Sequence, residues 1–159
     1  MTMNRLTALL GTLGCLCLGA GGNDAVDGRY LLSGETVVHA ESSLGKYDRT
    51  LYPELDATLS HAGAKVVVEV RRDNYVCTLK GSVSGASITL FQGQKCPQSI
   101  KGEGFQAELD GTLTAGSGTL GTQKLTLTTS WDVRGRVQLG PISVPVTGTL
   151  STVASGPKS

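Results

Sequence analysis

From Lys65 to Arg71 the chain reads KVVVEVR, with Val66, Val68 and Val70 on one side of an extended backbone and Lys65, Val67, Glu69 and Arg71 on the other. Side chains alternate between the faces of a strand, so this segment specifies a sheet with one packed side and one wet side. Other runs behave alike, and no stretch of twelve residues spaces its apolar side chains by three and four. Helix content is expected to be low. The chain's 22 glycines are spread between these short runs, which marks turns and bulges and not a low-complexity tract. The fold class expected is all-β.

Residues 30–40 form the first candidate strand, with Leu32, Thr36, Val38 and Ala40 on one face and Gly34 allowing a bulge. Residues 41–52 read as a polar loop. Residues 55–60 and 65–71 make a hairpin around HAGA, and Asp73-Asn74 supplies the next turn. Residues 75–80 and 87–92 form another pair of arms, with Cys77 and Leu79 on one face and GSVSG turning between them. After Pro97 comes a loop rich in glycine and charge, followed by strands at 105–114, 124–133, 136–139 and 142–150. Gly140-Pro141 joins the last two. Pro145 cannot donate to a ladder, so the final strand should lie at an edge or end its pairing there.

About eight strands joined in sequence order give a single antiparallel meander, closed as an up-and-down barrel or folded as a two-sheet sandwich. Closure removes sheet edges and favours the barrel. The opening Gly28-Arg29-Tyr30 resembles the G-x-W start of lipocalin-like barrels, with Tyr30 in place of the tryptophan. On this reading residues 28–152 are one domain, 23–27 a flexible lead and 153–159 a loose tail.

An internal echo runs through the chain. ELDATLSHAG from Glu54 and ELDGTLTAGSG from Glu108 each precede a lysine-led run, KVVVEVRRD from Lys65 and KLTLTTSWD from Lys124; TGTLSTVASG from Thr147 is a weaker third. Duplication and chance reuse of Thr, Leu and Gly both account for it, and both main copies read as hairpins.

The first residues decide compartment. MTMNR carries one positive side chain, Arg5, and residues 6–18 are uncharged, as in a secretory signal sequence spanning residues 1–22. The apolar run of about 13 residues is too short for a hydrocarbon core that needs about 20. Two cleavage sites compete. T-L-G-C ending at Cys15 resembles a bacterial lipobox, although Thr12 and Leu13 depart from its usual residues; the resemblance implies an acylated Cys15 and a membrane-anchored lipoprotein. Ala20 and Gly22 instead offer the small side chains of ordinary signal cleavage. Cys15 and Cys17 can also be plain apolar residues of the signal. The protein is expected to be exported: periplasmic, tethered to the outer membrane, or secreted.

About 137 residues then remain, enough for one domain with a core and too few for two. Arg5 leaves with the signal, so the 14 basic residues fall to 13 and equal the 13 acidic ones. Without a basic run, a nucleic-acid partner is disfavoured, and a membrane would be met only through a lipid anchor. Cys77 and Cys96 are the remaining cysteines, and in an oxidising compartment they read as a disulfide closing a loop of about 20 residues, worth roughly 3 kcal/mol. A metal or redox pair would want C-x-x-C spacing and nearby histidines.

Catalytic patterns are weak. His39 falls on the polar face of its strand and His61 in a hairpin turn, where each is expected to be solvated; no G-x-S-x-G elbow accompanies them. Asp24 and Asp27 read as lead charges and not as calcium ligands. Glu54 with Asp56, and Glu108 with Asp110, point the same way from single strands and read as solvated faces, not a glycosidase pair. Residues 116–121, GSGTLG, read as a turn because the strand-then-helix setting of a phosphate loop is missing. Trp131 shares a face with Leu125 and Leu127 and reads as core or as a ligand contact. No catalytic residue, metal or cofactor is expected.

Two functions follow. The first is a noncatalytic envelope or extracellular module acting through its surface on another protein. The second is a carrier whose Val66, Val68, Val70, Leu125, Leu127 and Trp131 line a cavity for an apolar small molecule.

Overall fold

The computed structural model describes residues 26–159, and every regular element among them is a strand. The segment expected to be a signal, with Cys15 and Cys17, and Asp24 lie outside the described residues. The strands are β1 (Gly28–Ser42), β2 (Gly45–Leu51), β3 (Glu54–Ala62), β4 (Lys65–Arg72), β5 (Tyr75–Ser84), β6 (Ser87–Leu90), β7 (Lys95–Gly102), β8 (Phe105–Gly121), β9 (Lys124–Leu139) and β10 (Ile142–Pro157).

All pairings are antiparallel. The path β10-β9-β8-β6-β5-β4-β3-β1 closes on itself because β10 also pairs with β1, from Ser33↔Ser155 to Ser42↔Val146. The expected meander is therefore a closed barrel, with β2 and β7 added outside the ring.

Two long strands fork. Residues 28–33 of β1 pair with β3, and residues 36–42 pair with β2. In β8, residues 105–112 pair with β7 and residues 117–119 with β6. One end of the molecule is thus a closed ring. Beyond the level where β3, β4, β5 and β6 stop, a six-stranded wall in the order β2-β1-β10-β9-β8-β7 continues alone.

Closure demands close approach at the β1–β10 seam. A Cβ on Gly34 would lie 2.0 Å from the Val153 carbonyl oxygen, and one on Gly156 1.7 Å from that of Leu31. Only glycine lets the two backbones meet there. The bulge expected at Gly34 is not formed: the register with β10 runs through it without a shift, and the glycine is there for close approach, at the point where β1 changes partner.

The core fills the closed end. Tyr30, Leu32, Leu59, Leu79, Ile88 and Leu125 are essentially inaccessible, and each large apolar side chain removed from water contributes roughly 1.5–3 kcal/mol. The disulfide joins Cys77 of β5 to Cys96 of β7, with Cα atoms 5.5 Å apart. It fastens to the ring a strand that otherwise pairs only with β8 among the described residues.

Several boundaries differ from the sequence reading. The polar loop at 41–52 is the end of β1 and all of β2, and the loop after Pro97 is most of β7. Both added strands lie at wall edges, and β2 is exposed throughout, so neither needs the apolar face by which a strand is recognised. Segments 124–133 and 136–139 are one strand, β9, and 116–121 is the end of β8 and not a turn. The described end of the lead is anchored: Val26 packs on the core and its carbonyl accepts from Tyr30 Oη at 2.5 Å.

The tail is the largest correction. Residues 153–157 complete β10, with Ala154 and Gly156 buried against β1 and β9. The expectation for Pro145 holds: it lies opposite Arg136 of β9, one residue beyond the last pair with β1. Both copies of the echo are hairpins, β3–β4 and β8–β9, and in each a lysine follows a two-residue turn.

Deleting residues 153–159 should abolish the cooperative thermal transition followed by circular dichroism, because three of the ten β1–β10 pairs and the Tyr30–Lys158 bridge, the part of the seam that closes the ring, go with them. A melt within a few degrees of the intact protein would make the tail dispensable. The double substitution Cys77→Ala, Cys96→Ala should lower stability in urea by about 3 kcal/mol, the loop-closure contribution, while leaving the ring core intact.

Candidate functional site

The wall beyond the ring has two unlike faces. Strand parity and cross-strand register fix which residues share each one. On β9, Trp131, Val133, Gly135 and Val137 continue the face of the buried Leu125 and Leu127. Leu150, Gly148, Val146 and Val144 of β10 stand directly opposite them. On the far side Leu113, Gly111, Leu109 and Ala107 of β8 complete the same face. Val38 and Ala40 extend it onto β1.

This inner face is apolar and open. Val144 and Ala107 are shielded by their neighbours, Val133, Val137, Val146 and Leu150 are half-buried, and at the tip Leu139, Ile142 and Phe105 are exposed. At its foot Thr36 is buried and its hydroxyl meets that of Thr152 at 2.9 Å, so the polar group that enters the core there is satisfied.

Charge is divided between the faces. Every aspartate and glutamate carried by a strand occupies an outer position. On the wall Asp110 stands opposite Arg134, and Glu108 opposite Arg136. Glu108 also accepts from Ser99 Oγ at 2.6 Å and Gln106 Nε2 at 3.0 Å, bonds that hold its carboxyl below the ordinary range. Asp56 is held low in the same way by Arg29, whose Nε donates to it at 2.8 Å. Glu54 and Asp56 share the outer face of β3, as expected from the sequence, and the two E-x-D elements sit on separate strands.

The inner positions hold two guanidinium groups, Arg49 of β2 and Arg72 at the end of β4. The outer contacts of β2 confirm its parity: Lys46 Nζ bonds Glu41 at 2.9 Å and Asp48 bonds His39. Tyr47, Arg49 and Leu51 therefore face inward, with Arg49 5.8 Å from the centre of the Tyr47 ring. Arg49 stands opposite Val38, which stands opposite Leu150, which stands opposite Trp131.

Trp131 packs against the core cluster and donates from Nε1 to Thr129 Oγ1 at 3.0 Å. Its ring is seated over Gly111, where an added Cβ would come within 3.4 Å. Val66, Val68, Leu125 and Leu127 are buried in the core of the ring, and Val70 packs against it. Those five are core and not lining; of the six carrier candidates only Trp131 reaches the wall.

The histidines separate. His39 is exposed on the outer wall as expected, its Nδ1 2.7 Å from Asp48 Oδ1. It stands opposite Thr149 in an open hollow of about 490 Å³ that also includes Asp132 and Arg134. Hydroxyl, imidazole and carboxylate thus lie in one row, but the His39 and Asp48 side chains are 62% and 64% exposed, so water competes for the contact that would orient a base. His61 departs from the expected turn. β3 runs on to Ala62, which gives His61 inward parity; its side chain is 4% exposed and its Nδ1 bonds Asp27 Oδ1. Asp27, read as a lead charge, is the partner that lets an imidazole be buried.

A second open hollow, about 740 Å³, lies outside the fork of β1 among Ser33, Glu35, Val37, Tyr52 and Val153. Among the described residues no three His, Cys, Asp or Glu side chains gather as metal ligands, and no helix is long and apolar enough to cross a membrane.

No family model and no curated protein matches the chain. Among solved structures it is similar to the ywiB protein of Bacillus subtilis, at 10% identity over 86% of this chain and 97% of that one, with a TM-score of 0.33. It is also similar to a candidate AttH of Nitrosomonas europaea, at 11% identity over 82% of this chain and 52% of that one, with a TM-score of 0.35. At those scores neither likeness bears on fold or function.

Proposed function

We propose that this protein is an exported, noncatalytic binding module whose contact surface is the inner face of the open wall. The observation that carries the reading is the run of apolar side chains, half-buried or exposed apart from the shielded Val144, from Leu150 to Ile142 on β10 and from Val133 to Leu139 on β9, that no other strand covers. Uncovered apolar faces of this kind serve recognition, because water is released when a partner covers them.

Export is supported by the Cys77–Cys96 disulfide, a bond that persists in oxidising compartments. With cleavage before Cys15, acylation would hold the barrel at a membrane by the short segment up to Gly28. Cleavage after Gly22 would release it. The intact mass of the protein from its exporting host decides between the two: a chain beginning at Cys15 plus acyl groups is the anchored form, and one beginning at Asn23 the free form.

The binding reading is tested with the neutral dye Nile red. Fluorescence should rise on mixing with the native protein, and Val137→Glu, which places a charge in the middle of the wall and away from the ring core, should remove the rise while leaving the melting temperature within a few degrees. A native protein that leaves the dye dark would overturn it.

A further inference from the structure

The wall's charges point to what covers it. We propose that its occupant is a long-chain carboxylate, with the acyl chain across the apolar inner face and the carboxylate at Arg49. The proposal rests on the reading of the wall as a binding surface and names the ligand class.

Three features of the face select this chemistry. First, the inner positions of the strands carry guanidinium groups and no carboxylate. Arg49 forms no ion pair among the described residues, its contact being the Tyr47 ring, and Arg72 has Asp73 at 3.9 Å. An amphiphile with one anionic head satisfies a cation at the margin of an apolar surface, where the pair is partly withdrawn from water.

Second, the apolar path begins at that cation. From Tyr47 the next inner row crosses Ala40, Gly148 and Val133 to Gly111, where the Trp131 ring sits. The larger side chains of Val38 and Leu150 flank it on one side, and those of Val146 and Leu109 on the other. Four strand spacings of about 4.8 Å make this path about 19 Å long, the reach of a saturated chain of about sixteen carbons.

Third, a second copy of this chain is a poorer fit. Two walls meeting face to face would bring together surfaces whose strands both lack inward carboxylates, burying Arg49 without a counter-charge, which is costly.

The experiment titrates the native, disulfide-bonded protein with palmitate and with hexadecanol below their aggregation limits, following emission of Trp131, the single tryptophan. Palmitate should shift the emission to the blue and saturate, and hexadecanol should bind about tenfold more weakly, the difference a charge-assisted contact makes. Arg49→Gln should erase that preference, and Arg72→Gln should retain it; both lie at exposed strand positions, and unchanged melting shows that each variant is folded.

Equal binding of acid and alcohol would overturn the headgroup assignment and leave the apolar wall standing. Loss of preference in Arg72→Gln but not in Arg49→Gln would overturn the choice of Arg49. Concentration-dependent dimerisation in gel filtration, with no response to either amphiphile, would make a second copy the occupant and overturn the proposal. No response from a monomer that also leaves Nile red dark would overturn the binding reading with it.

Discussion

The seam between β1 and β10 is the contact on which the rest of the structure depends. Without it the ordered sheet would be an open ribbon with two long edges, and its apolar face could be covered only by folding the ribbon over. The seam joins the first strand to the last, so its loop-closure entropy is that of nearly the whole domain. A contact with so large a closure cost must be a good one. Here the backbones approach so closely at Gly34 and Gly156 that any side chain would collide with the opposite carbonyl, and the paired hydroxyls of Thr36 and Thr152 close the polar gap beside them.

The site follows from the seam and the forks. Because β1 and β8 each change partner along their length, four ring strands end while four continue, and with β2 and β7 added these make the wall. Its inner face inherits the parity of the core, which is why valines and leucines extend past the point where a packing partner exists. A sheet face that is apolar without a covering layer is unfavourable in isolation; retaining it is intelligible when something else covers it. The disulfide acts at the same place, holding β7 to the ring so that the wall does not open at that edge.

Electrostatics sharpen the division. With the acidic side chains of the strands confined to the outside, the outer wall sets opposite charges at facing positions, Arg134 across from Asp110 and Arg136 across from Glu108, arrangements worth little each in water. Of the two inner guanidinium groups, Arg72 has Asp73 at 3.9 Å and Arg49 has no ion pair among the described residues. A formal net charge of only +1 conceals this, because a sum over residues says nothing about which side of a sheet each one takes.

How much was legible in the sequence depended on whether a residue's role is local. The alternation at Val66, Val68 and Val70, the turns at Gly140-Pro141 and after Ala62, the two echo hairpins and the pairing of Cys77 with Cys96 all rest on neighbours close along the chain, and all were readable. The strand ends were not. Ala154 and Gly156 are small because the seam is tight, so the tail carries little hydrophobic signal; β2 and β7 lie at edges and carry none. His61 looked like a turn residue until the register of β3 with β4 gave it an inward position beside Asp27. By itself the sequence determined an all-β domain with one packed face and one disulfide, since strand periodicity and cysteine chemistry act over short distances. Only the tertiary structure decided which strands meet, where the ring stops and the wall begins, and that Arg49 shares a face with Trp131, because those depend on register between strands that the sequence holds far apart.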